Sequence, residues 1–308
     1  MWLLIAVIGY AALAAVNILD KYILEKAVSR ASVFVFYSSV CVLPILLLAF
    51  FGFGHPTNLF DWSITFTAGF SFAFALWAMY LAFQRSEVSH AGPLNGAAVA
   101  VFVFILSSIF LGETFDARSL FAFGFLVVGS LLISHEKSSN HRGWHAGMTW
   151  AVFSGLLFAI SHVASKYIYT QCGFVGGLIW TRGFFGIFSL LLLFSPAVRV
   201  AAKSMFSFGH NKKIESTAQN SSHGKAAAIA VNRVLSVLGV VLIQWAISLG
   251  SVTIVNALAG LQYAVIVIGM LVLSKFLPNF IKEDYGPSEI IQELAAVFVI
   301  GIGLALLI

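Results

Sequence analysis

Asn17-Ile18-Leu19-Asp20-Lys21-Tyr22-Ile23 closes the first apolar run of the chain, and His162-Val163-Ala164-Ser165-Lys166-Tyr167-Ile168 closes the sixth. The two stretches share Lys-Tyr-Ile at an offset of 145 positions (166 − 21), and Asn17 falls opposite His162 at the same offset. A second correspondence pairs Val88-Ser89 with Val252-Thr253, Leu94 with Leu258 and Gly96 with Gly260, at an offset of 164 (252 − 88). The polar, Ser/Asn/Lys-rich residues 197–225 account for the larger offset. Two matches in the same order, each at a helix edge, mark an internal duplication.

The duplicated unit is built from membrane spans. Only 9% of the residues are charged and 60% are apolar, whereas a soluble domain carries about 25% charged residues to cover its surface. In water, such a chain would expose large apolar patches. Apolar runs of about 20 residues match a hydrocarbon core of about 30 Å at the helical rise. Backbone groups in lipid must be satisfied within their own segment, so the spans are helices. The pattern predicts ten, over 2–22, 31–53, 61–83, 90–111, 118–134, 146–168, 174–195, 226–248, 252–274 and 289–307. The first run lacks a basic leader and has a counterpart later in the chain, so it reads as a retained helix and not a signal peptide.

The expected fold is therefore an all-α membrane protein of ten transmembrane helices. Its two five-helix repeats would occupy residues 1–138 and 139–308. Because five is odd, the second repeat enters the bilayer from the opposite side, giving the inverted-topology arrangement of many secondary transporters. Two similar halves related in this way can exchange inward-open and outward-open forms at similar energy.

Charge sets the expected orientation. Loops after odd-numbered spans carry Lys21, Lys26, Arg30, Arg85, Lys137, Arg142, Arg199, Lys203, Lys212, Lys213, Lys225, Lys275 and Lys282, while loops after even-numbered spans carry only Arg118. The positive-inside rule then puts both termini outside the cytoplasm. The net charge of +5 arises from these loops and does not indicate nucleic-acid binding. Cys41 and Cys172 are too few and too far apart for a disulfide framework or a metal site. His135, His141 and His145 stand in a loop that offers no cysteine or well-spaced carboxylate set, so they read as a solvated connection.

The run from the fourth span through Phe110-Leu111-Gly112-Glu113-Thr114-Phe115, followed by Leu120-Phe121-Ala122-Phe123-Gly124 and Val128-Gly129, resembles the drug/metabolite transporter superfamily, in particular its EamA-type ten-helix members. Tyr80-Leu81-Ala82-Phe83 with Ser86 to Ser89 and Pro93 is similar to that family's turn between helices three and four. Trp245-Ala246-Ile247-Ser248 through Val252-Thr253 is its counterpart in the second half. Thr114 stands where the family has Arg, and Lys275-Phe276-Leu277-Pro278 replaces the second Gly-Glu. The resemblance covers nearly the whole chain. It implies a central cavity between the halves, a small-molecule substrate, surrounding membrane lipid, no cofactor and no ATP. It also implies an efflux or permease role as an integral multi-pass protein of a bacterial or archaeal plasma membrane. Family members generally have cytoplasmic termini, opposite to the charge reading. Neither source specifies a coupling ion, H⁺ or Na⁺.

Ionisable and polar side chains at bilayer depth are functional candidates by default. Arg182 and Arg233 each lie about a third of the way into a span. Either can offer a planar fork to a carboxylate or phosphate, or snorkel to the interface along its apolar stem. His162 can bind substrate, carry a proton or serve as a hydrogen-bonded structural residue. Lys21 and Lys166, near helix ends, read as interfacial anchors. Asn95, Asn232, Gln244, Asn256 and Gln262 are interhelical glue or solute contacts. Trp77, Tyr80, Trp245 and Tyr263 can stack on a solute, gate the path or pack. The expected substrate-binding set is Asn17, Trp77, Tyr80, Asn95, His162, Arg182, Arg233, Trp245, Asn256 and Tyr263. Asp20, Glu87, Glu113 and Glu289 all lie near span ends, so the buried carboxylate of proton-coupled cation exporters is not expected. Two intramembrane arginines favour neutral or anionic solutes instead.

An intramembrane enzyme would need a paired acid and base, a nucleophile–base pair or metal ligands. The mid-span ionisable groups, His162, Arg182 and Arg233, lie on three helices without a carboxylate partner. No stretch resembles a selectivity filter. A purely structural membrane protein remains the other alternative, and it would move no solute.

Overall fold

A computed structural model describes residues 1–24, 35–36, 39–40, 42–86, 88–134, 146–196, 198–200, 222–276 and 287–307. Among them the chain is helical without strands. The helices are α1 (Trp2–Leu24), α2 (Leu59–Phe83), α3 (Val88–Phe110), α4 (Ala117–Ser134) and α5 (Ala146–Leu192). They continue as α6 (Ser222–Leu249), α7 (Val252–Ala257), α8 (Ala259–Phe276) and α9 (Pro287–Leu307), and a 3₁₀ helix runs over Leu43–Phe51. Among the described residues, five helices are long and apolar enough to cross a membrane. Phe50, Phe110, Phe121 and Phe298 are exposed on the outside of the bundle, where lipid tails would cover them.

Helix boundaries follow local chemistry. Asn58 caps α2 by accepting from the Asp61 backbone N–H at 2.8 Å, and it donates from Nδ2 to the Asp61 carboxylate at 3.0 Å. An acid in the first turn also faces the positive end of the helix dipole. Gly112, at φ 65°, supplies the left-handed residue that ends α3 before Glu113.

Four expected spans are built differently. The described end of the second span is a 3₁₀ helix from Leu43, entered through a proline and closed by left-handed Gly52. The sixth and seventh spans run together as α5, broken where Cys172 (φ −122°, ψ 15°) and Gly173 (φ 74°, ψ 166°) leave helical geometry. A side chain at Gly177 would meet Tyr169 and Ile168, so the arm after Gly173 folds back on the arm before it. The ninth span is interrupted at Leu258, between α7 and α8.

Packing is led by α2 on α5, then α4 on α9, α1 on α6 and α3 on α5, with α3 on α4 and α1 on α8 next. The buried face of α2 is made of small residues, including Ala68, Gly69, Ser71, Ala75 and Ala78. Small residues let helix backbones approach closely. One arm of α5 sends Ser161 Oγ to the Ala68 carbonyl at 2.7 Å and Ser154 Oγ to the Ala75 carbonyl at 2.8 Å. The other arm presses Thr181 and Phe185 against Gly69. Thus α2 lies in the groove between the two arms, and side chains from three helical segments meet near Phe72.

Candidate functional site

Phe72 lies at the centre of the candidate site. Its ring meets Phe158 at 5.3 Å and Phe185 at 5.0 Å, both edge-on. The guanidinium of Arg182 lies over its face, 3.9 Å from the ring centroid, in cation–π contact. Arg182 is only 5% exposed. Among the described residues, its Nε and Nη2 find no hydrogen-bond acceptor. These two nitrogens share one edge of the planar group, where their N–H bonds run parallel. One carboxylate can receive both.

His162 stands beside this group, half-buried and 6.5 Å from the Phe72 ring. Its Nδ1 lies 2.6 Å from Asn256 Oδ1. The Asn256 amide is oriented by its Nδ2, which donates to the Val252 carbonyl at 2.7 Å. With Oδ1 turned to His162, Nδ1 is the nitrogen that carries the proton. In the neutral ring Nε2 is then an acceptor. Tyr169 lies within electrostatic reach of Arg182, and its hydroxyl donates to Gln244 Oε1 at 2.7 Å.

A second constellation adjoins the first. Lys166, one turn after His162, donates from Nζ to the carbonyls of Ile247 (2.8 Å), Ser248 (3.1 Å) and Gly250 (2.7 Å). These are end-of-helix carbonyls that the helix itself leaves unpaired. Lys166 is therefore a helix cap inside the bundle, and not the lipid-interface anchor its position near a helix end suggests. Glu113 holds the other side of the same turn. Its carboxylate accepts from Val252 N and from Ser251 Oγ, each at 2.9 Å.

Of the ten expected binding residues, His162, Arg182 and Asn256 converge. Asn95 is buried, and its Nδ2 donates to the Ala151 carbonyl at 2.8 Å, which ties α3 to α5. Tyr263 packs its ring on Gly92 and Gly96, where a side chain at Gly96 would lie 2.6 Å from it. Trp77 meets Trp150 edge-on at 6.3 Å, and Tyr80 meets Phe83 at 6.1 Å. Trp245 is 37% exposed and stacks on Phe174. Asn17 is exposed on α1, and among the described residues no hydrogen bond joins it to the His162–Asn256 pair. The side chain of Arg233 lies outside the described residues.

Phe72, Tyr169 and the carboxylates Asp61 and Glu293 stand outside the expected set. Phe72 carries no signal among thirty phenylalanines. Asp61 is 3% exposed at the start of α2, bound by Asn58 and by the Tyr167 hydroxyl at 3.1 Å. Glu293 lies on α9, which packs on α4.

The fold has a solved counterpart. A crystal structure titled simply as that of a protein superposes with a TM-score of 0.61 at 15% identity, covering 99% of this chain and 94% of the other. At that identity the likeness speaks for the fold alone. No curated protein matches the sequence. Residues 1–135 match the model of the EamA-like transporter family, which agrees with the Gly112-Glu113 motif and with the turn that Glu113 grips. Over its first 135 residues the chain is thus similar to the EamA-like transporter family, part of the drug/metabolite transporter superfamily.

Proposed function

We propose that this protein is a secondary transporter that moves a small organic solute bearing a carboxylate or similar anionic group by alternating access. The observation that carries this reading is Arg182. A buried cation without a partner costs several kcal/mol, yet here two parallel donors on one edge of the guanidinium lack an acceptor among the described residues. An anionic solute group would complete them. His162 Nε2 could accept a hydrogen bond from the same solute.

The five-plus-five inverted architecture, with repeats at 1–138 and 139–308, is part of the proposal. It draws support from the family match, which ends at residue 135. The packing also supports it: α1 on α6 and α2 on α5 are exchanged by adding five to the span number, while α4 on α9 maps onto itself. The gripped turn at 247–252 belongs to one end of the path. The expected setting is a plasma membrane, with termini on the extracytoplasmic side. Cysteine labelling of either terminus from outside intact cells checks that orientation.

The direct test is flux. Purified protein in liposomes should exchange labelled organic acids, and Arg182→Ala should reduce the rate at least about tenfold, the equivalent of one lost charge-assisted hydrogen-bond pair. Wild-type rates in Arg182→Ala, or no movement of any organic acid by the native protein, would sink the proposal.

A further inference from the structure

We infer that the Arg182 site selects organic monocarboxylates with an apolar aromatic body and no ammonium group: acids, not amino acids. This rests on the reading of Arg182 as the solute anchor and narrows it to one charge type.

Arg182 lies on α5, which packs against α2, α3, α6, α7 and the 3₁₀ helix. The sequences of α5 and of these partners contain one carboxylate, Asp61. It stands about three helical turns before Phe72, roughly 16 Å along α2, and is already bound by Asn58 and Tyr167. Glu113, in the turn after α3, is committed to Ser251 and Val252. Lys166, the other described cation on α5, is committed to three carbonyls. The described environment of Arg182 thus offers one uncommitted positive group and no uncommitted acid.

Charge balance then ranks the solutes. A monocarboxylate makes a neutral pair with Arg182, the cheapest state to hold in a low dielectric. An α-amino acid brings an ammonium that no described carboxylate can receive, and burying an unpaired charge is costly. A phosphate dianion leaves one negative charge uncompensated. Two donors on one guanidinium edge match the two oxygens of one carboxylate.

The wall chemistry gives the body of the solute. The guanidinium lies over Phe72, whose ring is met edge-on by Phe158 and Phe185, with His162 near Phe158 at 6.0 Å. Aromatic faces and edges favour a flat apolar partner over a flexible chain.

The test uses labelled 3-phenylpropionate bound to the full chain in lipid nanodiscs, with phenylalanine, phenyl phosphate and decanoate as competitors. Phenylpropionate should bind, and phenylalanine and phenyl phosphate should compete at least about tenfold more weakly. Arg182→Gln should abolish binding, while Arg182→Lys, which keeps the charge but loses the two-donor edge, should weaken it. Melting curves without ligand establish that both variants fold. If phenylalanine or phenyl phosphate competes as well as phenylpropionate in an Arg182-dependent way, the selectivity is wrong while the anchor stands. Stronger competition by decanoate overturns the aromatic body in favour of a lipid-like acid. If none of the four binds through Arg182, the anchor and the inference fall together.

Discussion

Lys166 and Glu113 hold one turn from opposite sides: the lysine ammonium closes the carbonyl end of α6, and the glutamate carboxylate closes the N–H end of α7. Each charge meets the helix end of opposite polarity, where it is most favourable. Asn256, the partner of His162, lies in the same short helix α7. The turn therefore sets the position of a residue of the proposed solute site.

Removing either grip should loosen the turn. Lys166→Met leaves three part-buried carbonyls without their donor, and Glu113→Gln weakens the cap of α7. Each should lower stability by about 1–3 kcal/mol, seen as a drop in melting temperature in nanodiscs. Because both act on one turn, the double variant should lose less than the sum of the singles. Strict additivity would mean that the two grips are independent.

The His162–Asn256 pair predicts effects on both folding and binding. Asn256→Asp keeps an oxygen facing His162 Nδ1 but adds a negative charge near Arg182. It should lose some stability, because nothing then donates to the Val252 carbonyl, and lose affinity for organic acids, because the site now holds its own anion. Asn256→Leu should also reduce stability by about 1–3 kcal/mol, since His162 Nδ1 loses its acceptor. Unchanged acid binding in Asn256→Asp would contradict the assignment of this pair to the solute site.

Gly69 measures the closeness of α2 to the second arm of α5. An added Cβ would stand 2.6 Å from Phe184 Cβ and the Thr181 carbonyl, and 2.8 Å from Phe185 N. Two of those atoms are backbone and cannot turn aside. Gly69→Ala should cost about 1–3 kcal/mol and weaken acid binding, because Phe72 and Arg182 sit on the two elements forced apart. Gly124→Ala is the control. Nothing lies within 4 Å of its added carbon, and in a helix interior it should stabilise slightly.

Asp116 gives a pH-dependent prediction outside the membrane-spanning helices. Hydrogen bonds from the Ser119 side chain and then its backbone N–H hold the exposed carboxyl below the usual carboxylate range. The native state therefore favours the ionised form. The stability it contributes is present above the unfolded-state value and lost as pH falls through the lower native one. Asp116→Ala should lower the melting temperature at neutral pH, and the gap from native protein should close in acid. A gap that persists in strong acid would assign the effect to something other than the carboxylate.

The sequence by itself determined the chemical class and pointed to a repeat. Apolar runs of bilayer length, most basic residues kept to loops, and the paired Lys21 and Lys166 segments are one-dimensional signals, and they survive without contact information. It also picked out His162, Arg182 and Asn256, because polar atoms among apolar ones announce themselves. What it could not do was rank them. Arg182 and Arg233 look alike in sequence, each one cation a third of the way into a span. Only the folding-back of α5 at Cys172–Gly173 brings Arg182 over Phe72, with Phe158 and Phe185 around it. Lys166 looked like an interface anchor because its true partners are backbone carbonyls 81 to 84 positions away. Carbonyl groups occur at every residue, so no pattern of side chains records which ones a lysine will meet. Tertiary structure decided that, since close helix packing through small residues such as Gly69 determines which polar atoms are close enough to bond.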